Sequence, residues 1–371
     1  MSLNLAVMLR ESARAKPEKV AIVADDFKLT YDHLDALSNQ VASGLRDAGL
    51  EPGDRVALML PNVPQFVIAY YGILKAGGLV VPMNVLLKAP EIAFFLGDSG
   101  ARCLVAWDDV AGEAWRGASE AGGVETYVVQ RPGGASLPEG THPFAELLRG
   151  SPRFDVASTS PDDTAVVLYT SGTTGRPKGA ELTHFNLFMC CEVAATRLIE
   201  VGADDVSMAV LPLFHSFGQS NVMNTTIYAG STLTLVPRFE PGKVLEVIQR
   251  DRVSIFCGVP TMYFALLHHP EAGRAGTASL RLCVSGGASL PGEVMRAFEE
   301  RFGVTIIEGY GLSETSPTAS FNVSREQRKP LSIGRPVWGV EMKVFDASDV
   351  ELPPGRDNVG EIGRASCRER V

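Results

Sequence analysis

No two of the six cysteines (Cys103, Cys190, Cys191, Cys257, Cys283, Cys367) stand at C-x-x-C spacing. Their scatter argues against a zinc framework and against a disulfide scaffold, and makes a reducing cytoplasm the expected setting. Positive charge is also short, with 34 Lys and Arg against 43 Asp and Glu for a net charge of -9. Such a chain offers no electrostatic footprint for a polyanion, so neither nucleic acid nor an anionic membrane surface is an expected partner. Nowhere do about 18 apolar residues run together, the length a membrane-spanning helix needs. The opening MSLNLAVMLRESARAKPEKV interrupts its apolar run with charge too early for a signal peptide. Internal repeats and low-complexity tracts are missing as well.

What remains is an apolar-rich chain of alternating patterns. At 371 residues and 45% apolar content it can bury two or three substantial cores. RVALML (55–60) reads as a strand, VPQFVIAYYGILKAGG as a helix ending in glycine, and LVVPMN as a strand again. STLTLVP, VSIFCGVP and LRLCVSGG repeat the theme, each followed by a helical pattern. Strands alternating with helices imply crossover units, so the expected fold is α/β with two parallel-rich sheets layered with helices. The Ser-, Pro- and Asp-rich stretch 149–163 is the expected linker. From Leu331 the character changes to short strands and turns.

One stretch carries chemistry. YTSGTTGRPKG (169–179) follows the strand-like TAVVLY and precedes a helical run, for which Thr183 is the expected N-cap. A loop so rich in glycine turns backbone N–H groups and hydroxyls toward an anion, and Lys178 adds a mobile point charge. A generic Ser/Gly/Thr run is most often a surface loop. Eleven residues with lysine and proline at fixed places point instead to phosphate. The stretch is not a P-loop: counted from Gly172, that pattern needs Gly where Pro177 stands and Ser or Thr where Gly179 stands. A dinucleotide fingerprint also fails at 309–314, where the third glycine is missing.

YTSGTTGRPKG resembles the phosphate-binding signature of the adenylate-forming (AMP-binding) superfamily, which includes the acyl-CoA synthetases. LPLFHSFGQ (211–219), SGGASL (285–290), GYGLSET (309–315) and IGRPVWGVEMKVFD (333–346) are similar to further family motifs, in the family's order. The resemblance implies ATP-dependent activation of a carboxylic acid to an acyl-adenylate, then thioester formation with CoA. It implies that Thr170, Ser171, Gly172, Thr173, Thr174, Gly175 and Lys178 hold the outer phosphates. Glu314 is implied beside a Mg²⁺ ion, a hard cation suited to carboxylate and phosphate oxygens. Ser313 is implied at the α-phosphate and Tyr310 on adenine, with Gly311 in the same motif. Gly286, Gly287 and Ala288 are implied along the nucleotide and the acyl group. His215 is expected to contact the substrate rather than transfer a proton. His184, Cys190 and Cys191 read as structural, and His268 and His269 as solvent-facing.

The resemblance disfavours an amino acid substrate, because amino-acid-activating members carry an Asp in the equivalent stretch to pair with the ammonium group and FHSF (214–217) has none. FGQSNVMN, FCGVPTMYFAL and SGGASL are small or apolar and suit a buried hydrocarbon chain. FHSFGQ together with VVPMNVLLKAPEIAFFLGDSGAR most resembles bacterial medium- or long-chain fatty acid–CoA ligases, which implies such an acid as substrate, with aryl acids of the coumarate or benzoate kind as the alternative. A homodimer is left open. The expected organisation is a nucleotide-binding core over 1–332, built from two interleaved subdomains with the linker near 150–163, and an incomplete β subdomain over 333–371. The family's ribose-binding Asp and its lysine-bearing C-terminal lid are not found, and GRASCRERV (363–371) does not resemble the family continuation. A sequence junction or frameshift is the first expectation there, natural truncation the second. A nucleotide- and acyl-binding fragment without turnover is the rival to an active ligase.

Overall fold

In the computed structural model, the residues described are 2–131, 133–134, 136–170, 176–273, 276–324, 326–355 and 357–365, with 363–365 by backbone alone. The expected loop residues Ser171 to Gly175 and the tail from 366 lie outside them.

Among the described residues the strands form three sheets. The largest runs, from edge to edge, Arg335–Pro336, Thr318–Phe321, Thr305–Gly311, Leu282–Ser285, Ile255–Gly258, Val206–Ala209, Thr232–Leu235, Val20–Ala24 and Phe27–Thr30. Its centre is parallel, from Val20–Ala24 through to Thr305–Gly311, and its edges turn antiparallel. The second sheet runs His142–Pro143, Glu125–Val129, Ala101–Trp107, Arg55–Met59, Leu79–Pro82, Thr164–Thr170 and Lys178–Thr183, parallel except for the last pair. A small antiparallel sheet joins Glu351–Leu352, Glu341–Phe345 and Glu361–Ala365.

Strand alternation distributes the core among layers. In the first sheet Ile255 and Cys257 face a central core, while Phe256 faces an outer one with Val244, Tyr263 and Phe298. In the second sheet Val56 and Leu58 face the same central core, while Ala57 and Met59 face Ile92, Leu96 and Ala114. Helices Tyr31–Asp47 and Pro64–Lys75 contribute Leu34, Val41, Phe66 and Val67 to that central core, so both sheets share one helical layer. The chain builds part of the first sheet, leaves to build the second, and returns, as parallel sheets with crossover helices require.

Local chemistry sets the helix ends. Thr183 accepts from the N–H of Asn186 at 3.1 Å and caps helix His184–Val193. Glu240 receives the N–H groups of Gly242 and Lys243 and caps Pro241–Asp251. Helices Ala89–Ser99 and Gly292–Phe302 each stop at a glycine in the left-handed region, Gly100 and Gly303. The run expected as one helix after Thr183 changes at Val193 to a wider π turn over Ala194–Leu198. A second π helix covers Phe217–Asn224, within the expected acyl-facing stretch. No helix among the described residues is long and apolar enough to cross a membrane.

Candidate active site

A cavity of about 490 Å³ opens at the carboxyl ends of the central strands of the larger sheet. Ligands bind at that end of parallel sheets because loops diverge there and leave a crevice. Strand Leu282–Ser285 delivers Gly286 and Gly287 to the wall, and strand Thr305–Gly311 delivers Tyr310 and Gly311. The single 3₁₀ turn Ser313–Thr315 places Ser313 and Glu314 at the rim. His215, Ser216 and Phe217 come from the turn into the π helix, and Thr170 comes from the end of a strand of the other sheet. Two sheets thus meet at one cavity.

The rim is tightly pinned. The N–H of Leu312 donates to the Pro317 carbonyl at 3.1 Å and to Thr315 Oγ1 at 2.8 Å. A Cβ on Gly311 would fall 1.8 Å from the Pro317 carbonyl oxygen, so only glycine allows the chain to double back there. Gly287 has a φ of 80°, which also selects glycine. Behind the rim, Glu308 receives the Leu331 N–H at 3.1 Å, and burial pushes its carboxyl above the ordinary range. Ser216 Oγ lies 3.4 Å from Ser313 Oγ, bringing two hydroxyls to one point of the wall.

His215 opens onto the cavity, yet the surrounding protein mass depresses its pKa by desolvation. Its Nδ1 accepts from the N–H of Phe217 at 3.3 Å, so the ring is held as a neutral group. Phe217, Val284 and Phe321 make the apolar side. Asn221 Nδ2 donates to Thr318 Oγ1 at 2.9 Å, and Cys190 Sγ lies 3.8 Å from both residues. Beyond that polar wall is a second, smaller cavity of about 220 Å³, lined by Met189, Cys190, Val193, Leu198, Val337 and Trp338. Thr318 and Glu314 border both.

Most of the described residues expected at the site converge. Thr170, His215, Gly286, Gly287, Tyr310, Gly311, Ser313 and Glu314 all line the larger cavity. Ala288 does not; it is exposed just past the turn, where the chain leaves the wall. Lys178 is exposed and opens strand Lys178–Thr183, directly across from Thr170. His184 is buried and accepts the Leu5 N–H on Nδ1 at 3.0 Å, a packing role. Asn221 and Thr318 were not singled out from the sequence. Both stand close to recognisable motifs, and the signal that would have found them is a polar side chain one helical turn after FHSF and one just past GYGLSET.

No group of three or more His, Cys, Asp or Glu among the described residues could cage a metal. Glu314 at the rim is a single hard oxygen donor, which fits Mg²⁺ held jointly by one carboxylate and substrate phosphates.

The AMP-binding enzyme family matches residues 9–365. A long-chain-fatty-acid–CoA ligase of Bacillus subtilis is 34% identical over 384 aligned positions, covering 97% of this chain and 68% of the relative. A feruloyl-CoA synthase of Amycolatopsis is also 34% identical, covering 94% of this chain and 67% of the relative. This chain therefore spans about two thirds of their length. Among solved structures, an anthranilate CoA ligase in complex with anthranoyl-AMP superposes with a TM-score of 0.91 at 27% identity, over 99% of this chain and 69% of that one. The N-terminal domain of FACL13 from Mycobacterium tuberculosis superposes with a TM-score of 0.87 at 29% identity, over 99% of this chain and 89% of that one. With this fold and these motifs around one cavity, the chain belongs to the AMP-binding enzyme family, the family of AMP-forming acid–CoA ligases.

Proposed function

We propose that this chain binds ATP and a hydrophobic carboxylic acid in the larger cavity and joins them as an acyl-adenylate, the activated form from which CoA takes the acyl group. The observation that carries this reading is the convergence of Ser313, Glu314 and Tyr310 with an apolar wall of Phe217, Val284 and Phe321. A polar end and an apolar end in one crevice suit an acid that must present its carboxylate and hide its chain. Two anions have to meet there. Mg²⁺, when bound at Glu314, neutralises phosphate charge. Thr170 and Ser313 hold phosphate oxygens by their hydroxyls, while Lys178 stands at the outer phosphates. Tyr310 stacks on the base, and neutral His215 lines the carboxylate end without adding charge.

Within this reading a medium- or long-chain fatty acid is the preferred substrate. The second cavity continues past Thr318, where Met189, Val193, Leu198, Val337 and Trp338 offer apolar room for hydrocarbon. An aryl acid is the second reading, favoured by Phe217 and Phe321 as ring-stacking walls and by the Asn221–Thr318 pair as a partner for a ring hydroxyl. The test is pyrophosphate release from ATP with a panel of alkyl and aryl acids, run beside direct binding of each acid. Acid-dependent release abolished by EDTA supports the reading. Binding of acid and nucleotide without release leaves a binding fragment, and the absence of both overturns it.

A further inference from the structure

The strand that leads into the phosphate loop outruns its sheet. Thr164–Thr170 pairs in parallel with Leu79–Pro82 at Val80↔Val166, a register that ends with Pro82 beside Leu168, and past that point its paired strand is Lys178–Thr183. The last rungs, Tyr169↔Gly179 and Thr170↔Lys178, are therefore a two-stranded ribbon projecting toward the cavity. Such a ribbon is marginal on its own. Alternation along the strand puts Thr170 on the cavity side, with Lys178 opposite it, and turns Tyr169 to the far face.

On that far face Tyr169 meets helix Ala89–Ser99. Its ring stacks on Phe95 with centroids 4.4 Å apart and planes 19° from parallel, and Phe94 approaches edge-on at 6.5 Å. Its hydroxyl donates to Asp98 Oδ2 at 2.6 Å. The ring also lies beside Gly179, where a Cβ would come 3.5 Å from Cζ. Burial first, and then the Asp98 carboxylate, hold the Tyr169 pKa well above its ordinary value, so the phenol keeps the proton it donates.

We propose that Asp98 and Tyr169 are positioning residues: their hydrogen bond and the Phe95 stack clamp the ribbon so that Thr170 and Lys178 reach the outer phosphates of ATP. The inference rests on the reading of the cavity as a nucleotide site. It adds a role for two residues that touch no substrate. AMP lacks the phosphates that the ribbon serves, so loosening the clamp acts on ATP alone.

Titration calorimetry of the full chain with Mg-ATP and with AMP tests this in Tyr169→Phe, Asp98→Ala and Asp98→Asn. Tyr169→Phe keeps the stack and the fold and removes one hydroxyl. It and Asp98→Ala are each expected to weaken ATP by roughly fivefold to tenfold, the scale of one ordinary net hydrogen bond, with AMP within about twofold of wild type. Asp98→Asn keeps an acceptor for the phenol and is expected to restore ATP to within about threefold of wild type. A selective ATP loss rescued in this way supports the clamp. Unchanged ATP binding in Tyr169→Phe, or equal losses for ATP and AMP, overturns the clamp and leaves the nucleotide site standing. A wild-type chain that binds neither nucleotide overturns both.

Discussion

The two sheets furnish the cavity in different ways. The rim from the larger sheet, Gly309 to Pro317, is folded back on itself by the Leu312, Thr315 and Pro317 contacts, with Glu308 tied to Leu331 behind it. The ribbon from the smaller sheet carries Thr170 and Lys178 past the end of its neighbouring strand and lies on the contacts of Tyr169 with Phe94, Phe95 and Asp98. The rim is held by backbone groups that meet one another or a neighbouring side chain, whereas the ribbon's outer rungs have side-chain packing below them. Substitutions in the rim should therefore damage everything the cavity does, whereas those in the ribbon should damage only what the ribbon touches.

The largest effect is expected from Gly311→Ala. Its Cβ would sit 1.8 Å from a backbone oxygen that cannot swing away, so the rim must shift. Overpacking of this kind costs about 3 kcal/mol. Loss of both ATP and AMP binding by on the order of a hundredfold is the expected outcome in calorimetry. Loss of ATP alone would show that the rim is as divisible as the ribbon, and the contrast would fall.

Lys178→Ala is the ribbon counterpart. A charge-assisted contact contributes roughly 1.5–3 kcal/mol, so ATP should weaken by about tenfold to a hundredfold while AMP changes little. Parallel titrations of the two nucleotides check it, and equal losses would remove Lys178 from the outer phosphates.

Legibility in the sequence follows the same division. Parallel strands such as Ile255–Gly258 and Leu282–Ser285 are buried on both faces and betray themselves as short apolar runs, so the sheets were readable. Motif residues at strand ends, such as Gly286, Gly287, Tyr310 and Glu314, were legible through the family motifs they belong to, and they line one cavity. Ala288 stands outside the cavity lining, since its place in SGGASL says nothing of which way the chain turns after Gly287. The Asn221–Thr318 pair and the Tyr169–Asp98 contact join residues 97 and 71 positions apart, and no local pattern announces such a meeting. The π turns were hidden for a related reason: helical periodicity over 184–201 does not reveal where one residue too many is accommodated.

A third measurement reads the stability of the fold around helix His184–Val193 apart from the site. His184 is buried, and its pKa is pushed down to about 4, chiefly by desolvation. The unfolded chain takes up that proton near its ordinary value of 6.5, so the stabilising contribution is full above that pH. As pH falls from 6.5 toward 4 the unfolded state gains a proton that the folded state resists, and stability drops by about 2 kcal/mol at pH 5. Urea unfolding at pH 7 and pH 5 should show this drop, and His184→Gln should flatten it. A profile as steep in the variant would assign the effect to other groups.

The smallest step is read along a series of straight-chain acids. Each methylene buried against Phe217, Val284 and Phe321 should add up to about 0.8 kcal/mol to binding, roughly fourfold in affinity. The rise should pause where the chain meets Thr318 and Asn221, because passing that pair means breaking a 2.9 Å hydrogen bond before the second cavity returns apolar contact. A plateau that ends with further gain for longer acids would place hydrocarbon in the second cavity, and Val193→Trp, which fills that space, should erase the later gain without touching the earlier one. A plateau with no second rise, together with tighter binding of hydroxylated aryl acids that is lost in Asn221→Ala, would give the cavity to a ring, with the rim serving both ends of the substrate and the ribbon the phosphates alone.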